Sequence, residues 1–499
     1  MPLPFRTLKR PDLRGLRVTV MGLGLHGGGV ATARFLAGAG AEVTVTDTKS
    51  EKDLADSVAV LGGLPIRFVL GRHELEDFSS ADIVIKNPAV RPDSPYVLAA
   101  KAVETDISLF LRFCESPIIA VTGSKGKSTV ATALHHGLIV AGKKAFLGGN
   151  ITVSPLAFLD ETGPDTPVVL ELSSWQLADI RGQGVLKPAI AILTSIMPDH
   201  MNRYSSMDEY VADKRLIYAD QDGDCYTLLN HEDPWSARFA AETKARIAWY
   251  ADSREAVLAA AGGGTLAGTA ARAAAAARAG GGTAAAAEAV AWLAPDGGKA
   301  RLATAQEGMA EEDILPQTLL VPGKHQRKNL LGAALALRLF GIEATTIREA
   351  MGSFVGVEHR LEPFAEKGGV VWYNDSAATI PQAVAAALES FDDPLILITG
   401  GTDKNLDFEP VHQSYARAKA IVLLAGTGTD KLLPWLERDH IPYQGPFADL
   451  EAAVRKAAAL AARGDRVLLS PGCASFGMFL HEFDRGKKFK ETVRRLLAE

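Results

Sequence analysis

Short runs of β-branched and other apolar residues recur along the chain, and each precedes a turn and a longer stretch rich in Ala and Leu. Arg17–Met21 precedes Gly27–Ala39 in this way, and Ile118–Thr122 precedes Ser128–Ala141. Short apolar runs of this kind are typical of buried strands, whereas the longer stretches have the composition of helices. Because strands that alternate with helices build parallel sheets, the pattern predicts an α/β fold.

The pattern falls into three blocks, which predict three domains at residues 1–115, 116–356 and 357–499. The third block contains a new set of predicted strands at Val370–Tyr373, Leu395–Thr399, Ala420–Leu424 and Arg466–Leu469. Residues 254–290 stand apart, because they are nearly all Ala, Gly, Thr and Arg. With so few large apolar side chains they cannot form a core, so we interpret them as an exposed insertion in the second domain.

Composition and charge narrow the class of protein. The chain has 499 residues, of which 47% are hydrophobic and 22% are charged, as in an ordinary globular protein. A formal net charge of -6 argues against a nucleic-acid binder. Three cysteines without metal-ligand spacing fit a reducing compartment. The sequence has neither a signal peptide nor an apolar run of membrane length, so we expect a cytoplasmic protein without membrane insertion.

The strongest chemical signal is a glycine-rich turn between a predicted strand and a predicted helix. Pro117–Thr122 leads into the run GSKGKS, which covers residues 123–128. Glycines let backbone N–H groups converge on phosphate oxygens, Lys127 can offset phosphate charge, and Ser128 can ligate Mg²⁺. Val121 stands where the usual eight-residue loop has its first glycine, so this is a shortened form. The loop predicts a nucleoside triphosphate as ligand.

A second glycine turn follows the first predicted strand. Gly22, Gly24 and Gly27 have the dinucleotide-binding spacing, and Asp47 ends the next strand about 20 residues later. Taken alone, this turn fits NAD(P) and another diphosphate-bearing ligand equally well. A hydride-transfer enzyme with its own triphosphate loop would be unusual, so the two turns together favour a nucleotide-sugar ligand.

Acids and amides follow the strands that flank the phosphate loop. Asn150 follows one predicted strand, and Glu171 ends the next. An acid at the carboxyl end of a parallel strand, beside a phosphate loop, is placed to ligate a second Mg²⁺. His200 lies in a loop after a further strand, and a neutral imidazole there can ligate metal or contact phosphate.

Ten motifs in order resemble the Mur ligases: GSKGKST, GGN, ELSSWQ, SIMPDHMNRY, ADKRLIY, PGKHQRKN, VEHRLE, YNDSAAT, ITGGTDKN and LLSPGCASFGMF. The resemblance spans nearly the whole chain except the Ala/Gly-rich segment, and it is greatest to the branch that adds glutamate to UDP-N-acetylmuramoyl-L-alanine. It implies a Rossmann-like UDP-binding domain, a central ATP-binding domain of the P-loop type and a Rossmann-like glutamate-binding domain.

The resemblance also implies a role for individual residues. For ATP these are Gly123, Ser124, Lys125, Gly126, Lys127, Ser128, Thr129, Asn329, Arg360 and Asp375. For the UDP-linked substrate they are Leu25, His26, Asp47, Thr48, Asn87, Asn150 and Ser173. For magnesium they are Ser128, Glu171, His200 and Lys214, the last as a carbamate. For glutamate they are Thr379, Lys404, Ser475 and Phe483. The catalytic residues would be Lys127, His200, Lys214 and Lys404.

The resemblance implies an ATP-dependent, ADP-forming acid–amino-acid ligase of peptidoglycan synthesis, with two Mg²⁺ ions as expected cofactors. ATP would phosphorylate the alanine carboxylate of the substrate, and the glutamate amine would displace phosphate. Both partners are small molecules, and we expect a monomer. Closure of the third domain would exclude water from the acyl phosphate.

Two motifs depart from the family pattern. Ala377 and Ile380 stand where the family commonly has Lys and Asn, and Gly477 stands where it commonly has Asp. The missing lysine would contact glutamate, so either Lys404 or another cation replaces it, or the pocket presents the amino acid differently. Family frequency favours D-glutamate, and L-glutamate remains an alternative. A folate polyglutamate ligase and an NAD(P)-dependent oxidoreductase are more remote alternatives.

Overall fold

The computed structural model describes residues 8–24, 28–151, 154–199, 203–260, 287–302, 311–404 and 406–498. Leu25, His26 and His200, which the sequence assigns to the UDP and metal sites, lie outside these ranges. Within them the chain forms three sheets with helices around them. The predicted α/β class is therefore confirmed.

The first sheet has five parallel strands in the order β3-β2-β1-β4-β5. Its strands are β1 Arg17–Met21, β2 Glu42–Asp47, β3 Ile66–Leu70, β4 Ile83–Lys86 and β5 Val103–Glu104. Its helices are α1 Gly28–Gly38, α2 Ala55–Val60, α3 Leu75–Ser79, α4 Pro95–Ala99 and α5 Asp106–Phe113. The chain reverses its direction of travel across the sheet between β1 and β4. A crevice therefore opens at the carboxyl ends of these two strands, where α/β proteins bind ligands.

The second sheet has nine strands in the order β14-β13-β12-β11-β10-β9-β6-β8-β7. The strands are β6 Ile118–Thr122, β7 Phe146–Gly149, β8 Val168–Glu171, β9 Ile190–Leu193, β10 Tyr226–Asn230, β11 Arg246–Ala251, β12 Ala287–Ala294, β13 Gly297–Leu302 and β14 Glu311–Leu315. The helices are α6 Lys127–Val140, α7 Ser174–Asp179, α8 Met207–Lys214, α9 Ser236–Glu242, α10 Arg254–Ala260, α11 Lys324–Leu339 and α12 Ala344–Ser353. The sheet is parallel from β7 to β12, and β13 and β14 are antiparallel additions.

The third sheet has six strands in the order β15-β16-β20-β17-β18-β19. The strands are β15 Glu362–Lys367, β16 Val370–Asn374, β17 Leu395–Thr399, β18 Ala420–Leu424, β19 Tyr443–Phe447 and β20 Arg466–Leu469. The helices are α13 Pro381–Glu389, α14 Thr427–Arg438, α15 Leu450–Leu460 and α16 Glu482–Ala498. Only β15 runs antiparallel to its neighbour among these strands.

The interpretation of 254–290 as an exposed insertion is wrong at both ends of the segment. Val257 in α10 is fully buried, and so are Ala289 and Val290 in β12. β12 pairs with β11 on one side and β13 on the other. Small side chains did not prevent this strand, because its two neighbours satisfy its backbone hydrogen bonds. The middle of the segment, 261–286, lies outside the described residues.

The first two sheets belong to one compact unit, which comprises residues 1–317 and 328–351. A continuous apolar core joins them, and Phe110 of α5 packs edge-on against Phe158 with the ring centroids 5.8 Å apart. A second unit comprises residues 318–327 and 352–499 and contains the third sheet. The predicted limits at 115 and 356 stay a prediction.

Candidate active site

The phosphate loop lies between β6 and α6, at the centre of the second sheet. Gly123 and Gly126 have φ angles of 148° and 89°, in the region that glycine tolerates best. A Cβ on Gly123 would lie 1.9 Å from Oγ1 of Thr194, which is itself hydrogen-bonded to two backbone carbonyls. A Cβ on Gly126 would lie 2.5 Å from Oδ1 of Asn329. Both glycines are therefore required, and Asn329, which the resemblance assigns to ATP, adjoins the loop.

Ser124 shapes this loop through its side chain. Its hydroxyl exchanges hydrogen bonds with the backbone N and O of Met197, at 3.0 and 2.9 Å, and lies 3.0 Å from the hydroxyl of Tyr210. Ser124 is only 4% exposed. Its hydroxyl therefore fastens the loop to the segment after β9. Lys125 is exposed, and its Nζ lies 4.0 Å from Asp199.

Two lysines converge on the carbonyl oxygen of Gly123. Nζ of Lys127 donates to it at 3.0 Å, and Nζ of Lys214, at the end of α8, donates to it at 2.7 Å. Lys214 is 2% exposed and lies 4.5 Å above the ring of Tyr210. Burial lowers the pKa of Lys214 well below its ordinary value, and the positive charge of Lys127 lowers it further. The proton of Lys214 is therefore held less tightly than that of an exposed lysine.

Glu171 supplies a buried carboxylate beside the loop, because β8 pairs directly with β6. Its Oε1 accepts a hydrogen bond of 2.9 Å from Nδ2 of Asn150, and the residue is 1% exposed. Its Oε2 is buried and accepts no hydrogen bond from the residues that the structure describes. A buried carboxylate oxygen of this kind is unfavourable without a donor or a cation. A carboxylate oxygen is the kind of ligand that a hard divalent cation prefers.

A cavity of about 340 Å³ lies between the first two sheets. Its walls include the glycine turn at 22–24, the start of α1, the loop 87–89 and the end of β7. Asn87, Asn150 and Ser173, which the sequence assigns to the UDP-linked substrate, all line it. The cavity opens at the crevice between β1 and β4, so these residues meet where the topology predicts a ligand.

Asp47 holds the glycine turn. Its Oδ2 accepts hydrogen bonds from the backbone N–H groups of Leu23, at 2.9 Å, and Gly24, at 3.1 Å. Its Oδ1 accepts one from Lys49 N at 2.9 Å. The carboxylate is therefore already occupied by backbone donors, and its evident role is to shape the turn. Thr48 beside it is exposed.

Ser173 is the N-cap of α7. Its Oγ accepts a hydrogen bond from Gln176 N at 3.2 Å and donates one to Gln176 Oε1 at 3.1 Å. This capping box fixes the connection that leaves β8 after Glu171. Ser173 thus holds the start of α7 at the wall of the cavity.

The second unit contains the residues assigned to glutamate. Nζ of Lys404 donates to Oγ1 of Thr379 at 3.0 Å, whereas Ser475 is buried. Asp375 accepts hydrogen bonds from Ser470 Oγ at 2.7 Å and from a backbone N–H at 3.2 Å. Burial raises the pKa of Asp375 to about 7. Arg360 is exposed, and its charge acts on Asp375 in the opposite direction.

Sequence reasoning missed Arg485, which joins the two loops that carry these residues. Its guanidinium donates to the carbonyl oxygens of Ser376, at 2.9 Å, and Cys473, at 3.1 Å, and to Oγ of Ser376 at 3.0 Å. It is 1% exposed. Phe483 lies two residues before Arg485 in the chain, and the centroid of its ring is 5.5 Å from that of His359. Arg485 lies in a helix that is rich in charged residues, so nothing in the sequence distinguishes it from its exposed neighbours.

Lys86 was also missed. It is the last residue of β4, lines the cavity, and forms an ion pair of 2.6 Å with Asp179 of α7. A lysine that ends the apolar run Ile83–Ile85 was the available signal. In the described ranges of the chain, no helix combines the length and apolar character needed to cross a membrane.

Three family models match the chain in order. They are the Mur ligase MurD-like N-terminal domain over residues 16–108, the Mur ligase middle domain over 121–337, and the Mur ligase glutamate ligase domain over 359–473. Each match falls on one of the three sheets.

Curated relatives match the chain over nearly its full length. The chain is 43% identical to the UDP-N-acetylmuramoylalanine–D-glutamate ligase of Treponema pallidum (strain Nichols), over 97% of this chain and 98% of that protein. It is 41% identical to the enzyme of the same name from Roseiflexus sp. (strain RS-1), over 97% and 99%. Among solved structures, the fold resembles UDP-N-acetylmuramate-alanine ligase MurC from Thermotoga maritima, with a TM-score of 0.58 at 17% identity over 96% and 100% of the two chains.

The fold and the phosphate loop define a nucleotide-dependent α/β enzyme, and the relatives define its class as an ADP-forming acid–amino-acid ligase. The chain belongs to the Mur ligase family. Neither the folate ligase nor the oxidoreductase alternative is supported by these relatives.

Proposed function

We propose that this protein uses ATP to join D-glutamate to the alanine carboxylate of UDP-N-acetylmuramoyl-L-alanine, a step of peptidoglycan precursor synthesis. The observation that carries the proposal is the convergence of Lys127 and Lys214 on the carbonyl of Gly123, beside the buried carboxylate of Glu171. The names of the curated relatives support the reaction and the D-enantiomer.

The phosphates of ATP would bind at the start of α6. A helix N-terminus offers backbone N–H groups and the positive end of the helix dipole, both of which favour an anion. Lys127 now contacts the carbonyls of Gly123 and Ser124, at 3.0 and 3.2 Å. We expect its ammonium to exchange these neutral acceptors for the β- and γ-phosphates, because a charged acceptor forms the stronger bond. Asn329, Arg360 and Asp375 would complete the nucleotide site.

Magnesium would be held by Ser128 and Glu171, with His200 and a carbamate on Lys214 as further ligands. The unpartnered Oε2 of Glu171 supports this assignment. Bound magnesium would neutralise charge on the phosphates during transfer.

The carbamate on Lys214 is supported by the lowered pKa of this lysine. A neutral Nζ can form a bond to the carbon of CO₂ and release a proton, which replaces an uncharged amine by an anion. That change would add a negative charge close to Lys127. It would also convert the donor on Gly123 O into a pair of oxygen ligands.

The reaction would proceed through an acyl phosphate. An oxygen of the alanine carboxylate attacks the γ-phosphorus of ATP, the bond to the β-phosphate oxygen breaks, and ADP leaves. The neutral amine of glutamate then adds to the acyl carbon, and the tetrahedral intermediate expels inorganic phosphate and a proton to give the amide. Lys127 would stabilise the charge that develops during phosphoryl transfer.

The second unit would bind glutamate. Lys404 and Thr379 already share a hydrogen bond, so the lysine ammonium is fixed over a hydroxyl that can accept or donate. Ser475 and Phe483 would line the remaining sides. Because Ala377 lacks charge, Lys404 would be the principal cation for the carboxylates of the amino acid. The enzyme would act in the cytoplasm as a monomer on small-molecule substrates.

The reaction is tested with the purified full-length chain, ATP, Mg²⁺ and UDP-N-acetylmuramoyl-L-alanine. D-glutamate should stimulate phosphate release and give a product heavier by one glutamyl residue, whereas L-glutamate should not. Hydroxylamine in place of glutamate should trap the acyl phosphate as a hydroxamate, and omission of ATP is the control. Stimulation by L-glutamate alone would reverse the stereochemical assignment, and no product with either enantiomer would reject the function.

A further inference from the structure

The cavity between the first two sheets has a distinctive charge distribution. Among the described residues that line it, Lys86 is the one with a positively charged side chain, and the others are apolar, amide, hydroxyl or glycine residues apart from Asp106. Lys86 is 4% exposed. A buried cation on the wall of a ligand cavity is unfavourable unless an anion balances it, so its presence there requires an explanation.

Lys86 occupies the switch point of the first sheet. It is the last residue of β4 and pairs in register with Met21, the last residue of β1, so it stands beside the glycine turn that begins at Gly22. The following Asn87 lies against that turn, since a Cβ on Gly22 would be 3.4 Å from the Cβ of Asn87. The crevice at the carboxyl ends of β1 and β4 is where this topology binds a ligand.

Two backbone donors of the glycine turn are already engaged. In the dinucleotide-binding fold, N–H groups of this turn face the pyrophosphate. Here the N–H groups of Leu23 and Gly24 are bound to the carboxylate of Asp47. Neither of these two groups is therefore available to an anion in the cavity, whereas Lys86 offers a positively charged donor on the cavity wall.

Lys86 retains donor capacity for a ligand. Its Nζ donates to Asp179 Oδ2 at 2.6 Å and to the carbonyl of Val90 at 3.3 Å. An ammonium has three donors, and these two described contacts use two of them. Asp179 is itself buried and belongs to α7, so its carboxylate fixes the position of the ammonium.

We propose that Lys86 binds the diphosphate of the sugar-nucleotide substrate, and that Asp179 is its counter-ion in the absence of substrate. The proposal rests on the proposed function, since it identifies the diphosphate-bearing ligand with that substrate. The competing interpretation is that the ion pair only fastens the first sheet to α7. The two interpretations predict opposite effects when the negative charge of Asp179 is removed. If Lys86 binds the diphosphate, the loss of this charge should strengthen UDP binding. If the ion pair only joins the first sheet to α7, the loss should weaken UDP binding.

The test measures the binding of UDP and of uridine to the full-length protein by calorimetry. Lys86→Met should weaken UDP roughly 10- to 100-fold, the loss expected for one hydrogen bond to a charged group. It should change uridine binding by less than about threefold, because uridine has no phosphate. Asp179→Asn keeps the cation and should bind UDP as tightly as the wild type or more tightly.

A double variant guards against a folding failure. Lys86→Met leaves Asp179 buried without its partner, whereas Lys86→Met with Asp179→Asn has no buried charge. The double variant should therefore fold and should bind UDP as weakly as Lys86→Met. UDP binding as tight as the wild type in the double variant, or equal weakening by Lys86→Met and Asp179→Asn, would overturn the proposal.

The same proteins separate this inference from the proposed function. Wild-type turnover with unchanged UDP binding in the lysine variants would overturn only the role of Lys86. Lys86-dependent UDP binding without ligase turnover would overturn only the function.

Discussion

Lys127 and Lys214 donate hydrogen bonds to one carbonyl oxygen, that of Gly123, at 3.0 and 2.7 Å. The two residues are far apart in sequence, and the glycine turn brings them to the same acceptor. Burial lowers the pKa of Lys214 well below its ordinary value, and the positive charge of Lys127 beside it lowers the pKa further. The two lysines are therefore expected to have different roles, Lys127 as the cation for phosphate and Lys214 as the amine that forms the carbamate.

Lys127→Ala is expected to lower kcat/KM by about 1000-fold or more, because it removes the cation that stabilises phosphoryl transfer. The measurement is steady-state phosphate release under saturating Mg²⁺. Lys143→Ala, in an exposed position after α6, is the matched control and should retain wild-type rates. Turnover that survives the loss of Lys127 would contradict the role of the phosphate loop.

Lys214→Met should abolish turnover, and acetate should partly restore it by supplying the missing carboxylate oxygens. The same change should raise the thermal midpoint at neutral pH, because it removes a buried amine whose protonated form is unfavourable in the folded state. Activity that survives in Lys214→Met without acetate would exclude the carbamate.

In CO₂-free buffer, where Lys214 is a free amine, the stability of the wild type should depend on pH through this lysine. Between its lowered folded pKa and the ordinary value of 10.5, the unfolded chain holds a proton that the folded chain lacks. The free energy of unfolding contributed by Lys214 therefore rises with pH in this window. Lys214→Met should lack that rise when the two proteins are compared in urea at pH 7 and at pH 9.5.

Glu171→Gln should raise the Mg²⁺ concentration needed for half-maximal activity by about 10- to 100-fold. Glutamine keeps an acceptor for Asn150 and removes the charge, so the change isolates the cation contact. The measurement is a Mg²⁺ titration at saturating ATP. Glu161→Gln, which removes an exposed carboxylate paired with Lys144 at 3.2 Å, is the control. An unchanged Mg²⁺ requirement would remove Glu171 from the metal site.

Asp375→Asn should stabilise the second unit at neutral pH more than at acid pH. The folded pKa of Asp375 is raised to about 7 from 3.8, so the unfolded chain loses its proton first as pH rises. Wild-type stability should fall across this window relative to the variant, by up to about 4 kcal/mol. Urea unfolding at pH 4.5 and pH 8 measures the difference. A constant difference would show that Asp375 titrates normally.

Arg485→Lys should raise the KM for glutamate by about tenfold while the KM values for ATP and the UDP-linked substrate stay the same. Lysine keeps the charge but loses the fork that holds the loops of Ser376 and Cys473 together. A uniform loss across all three substrates, or none, would show that Arg485 does not position the glutamate site.

The sequence by itself determined the phosphate loop, the parallel strands around it and the family. These features depend on residues adjacent in the chain: Gly123 and Gly126 set the turn, and apolar runs such as Ile118–Thr122 have the periodicity of buried strands. The motifs also predict that Asn150 and Glu171 lie close together. Asn150 follows β7 and Glu171 ends β8, and these two strands are parallel neighbours.

Only the tertiary structure decided which polar groups already have hydrogen-bond or ion-pair partners within the protein. Asp47 has the position of a ligand-binding acid, yet its carboxylate is bound to the turn beside it. Lys86 and Asp179 are 93 residues apart and form a buried ion pair, which no local sequence pattern predicts. Buried polar atoms must find partners wherever the fold provides them, and those partners are set by strand order and packing rather than by neighbours in the chain.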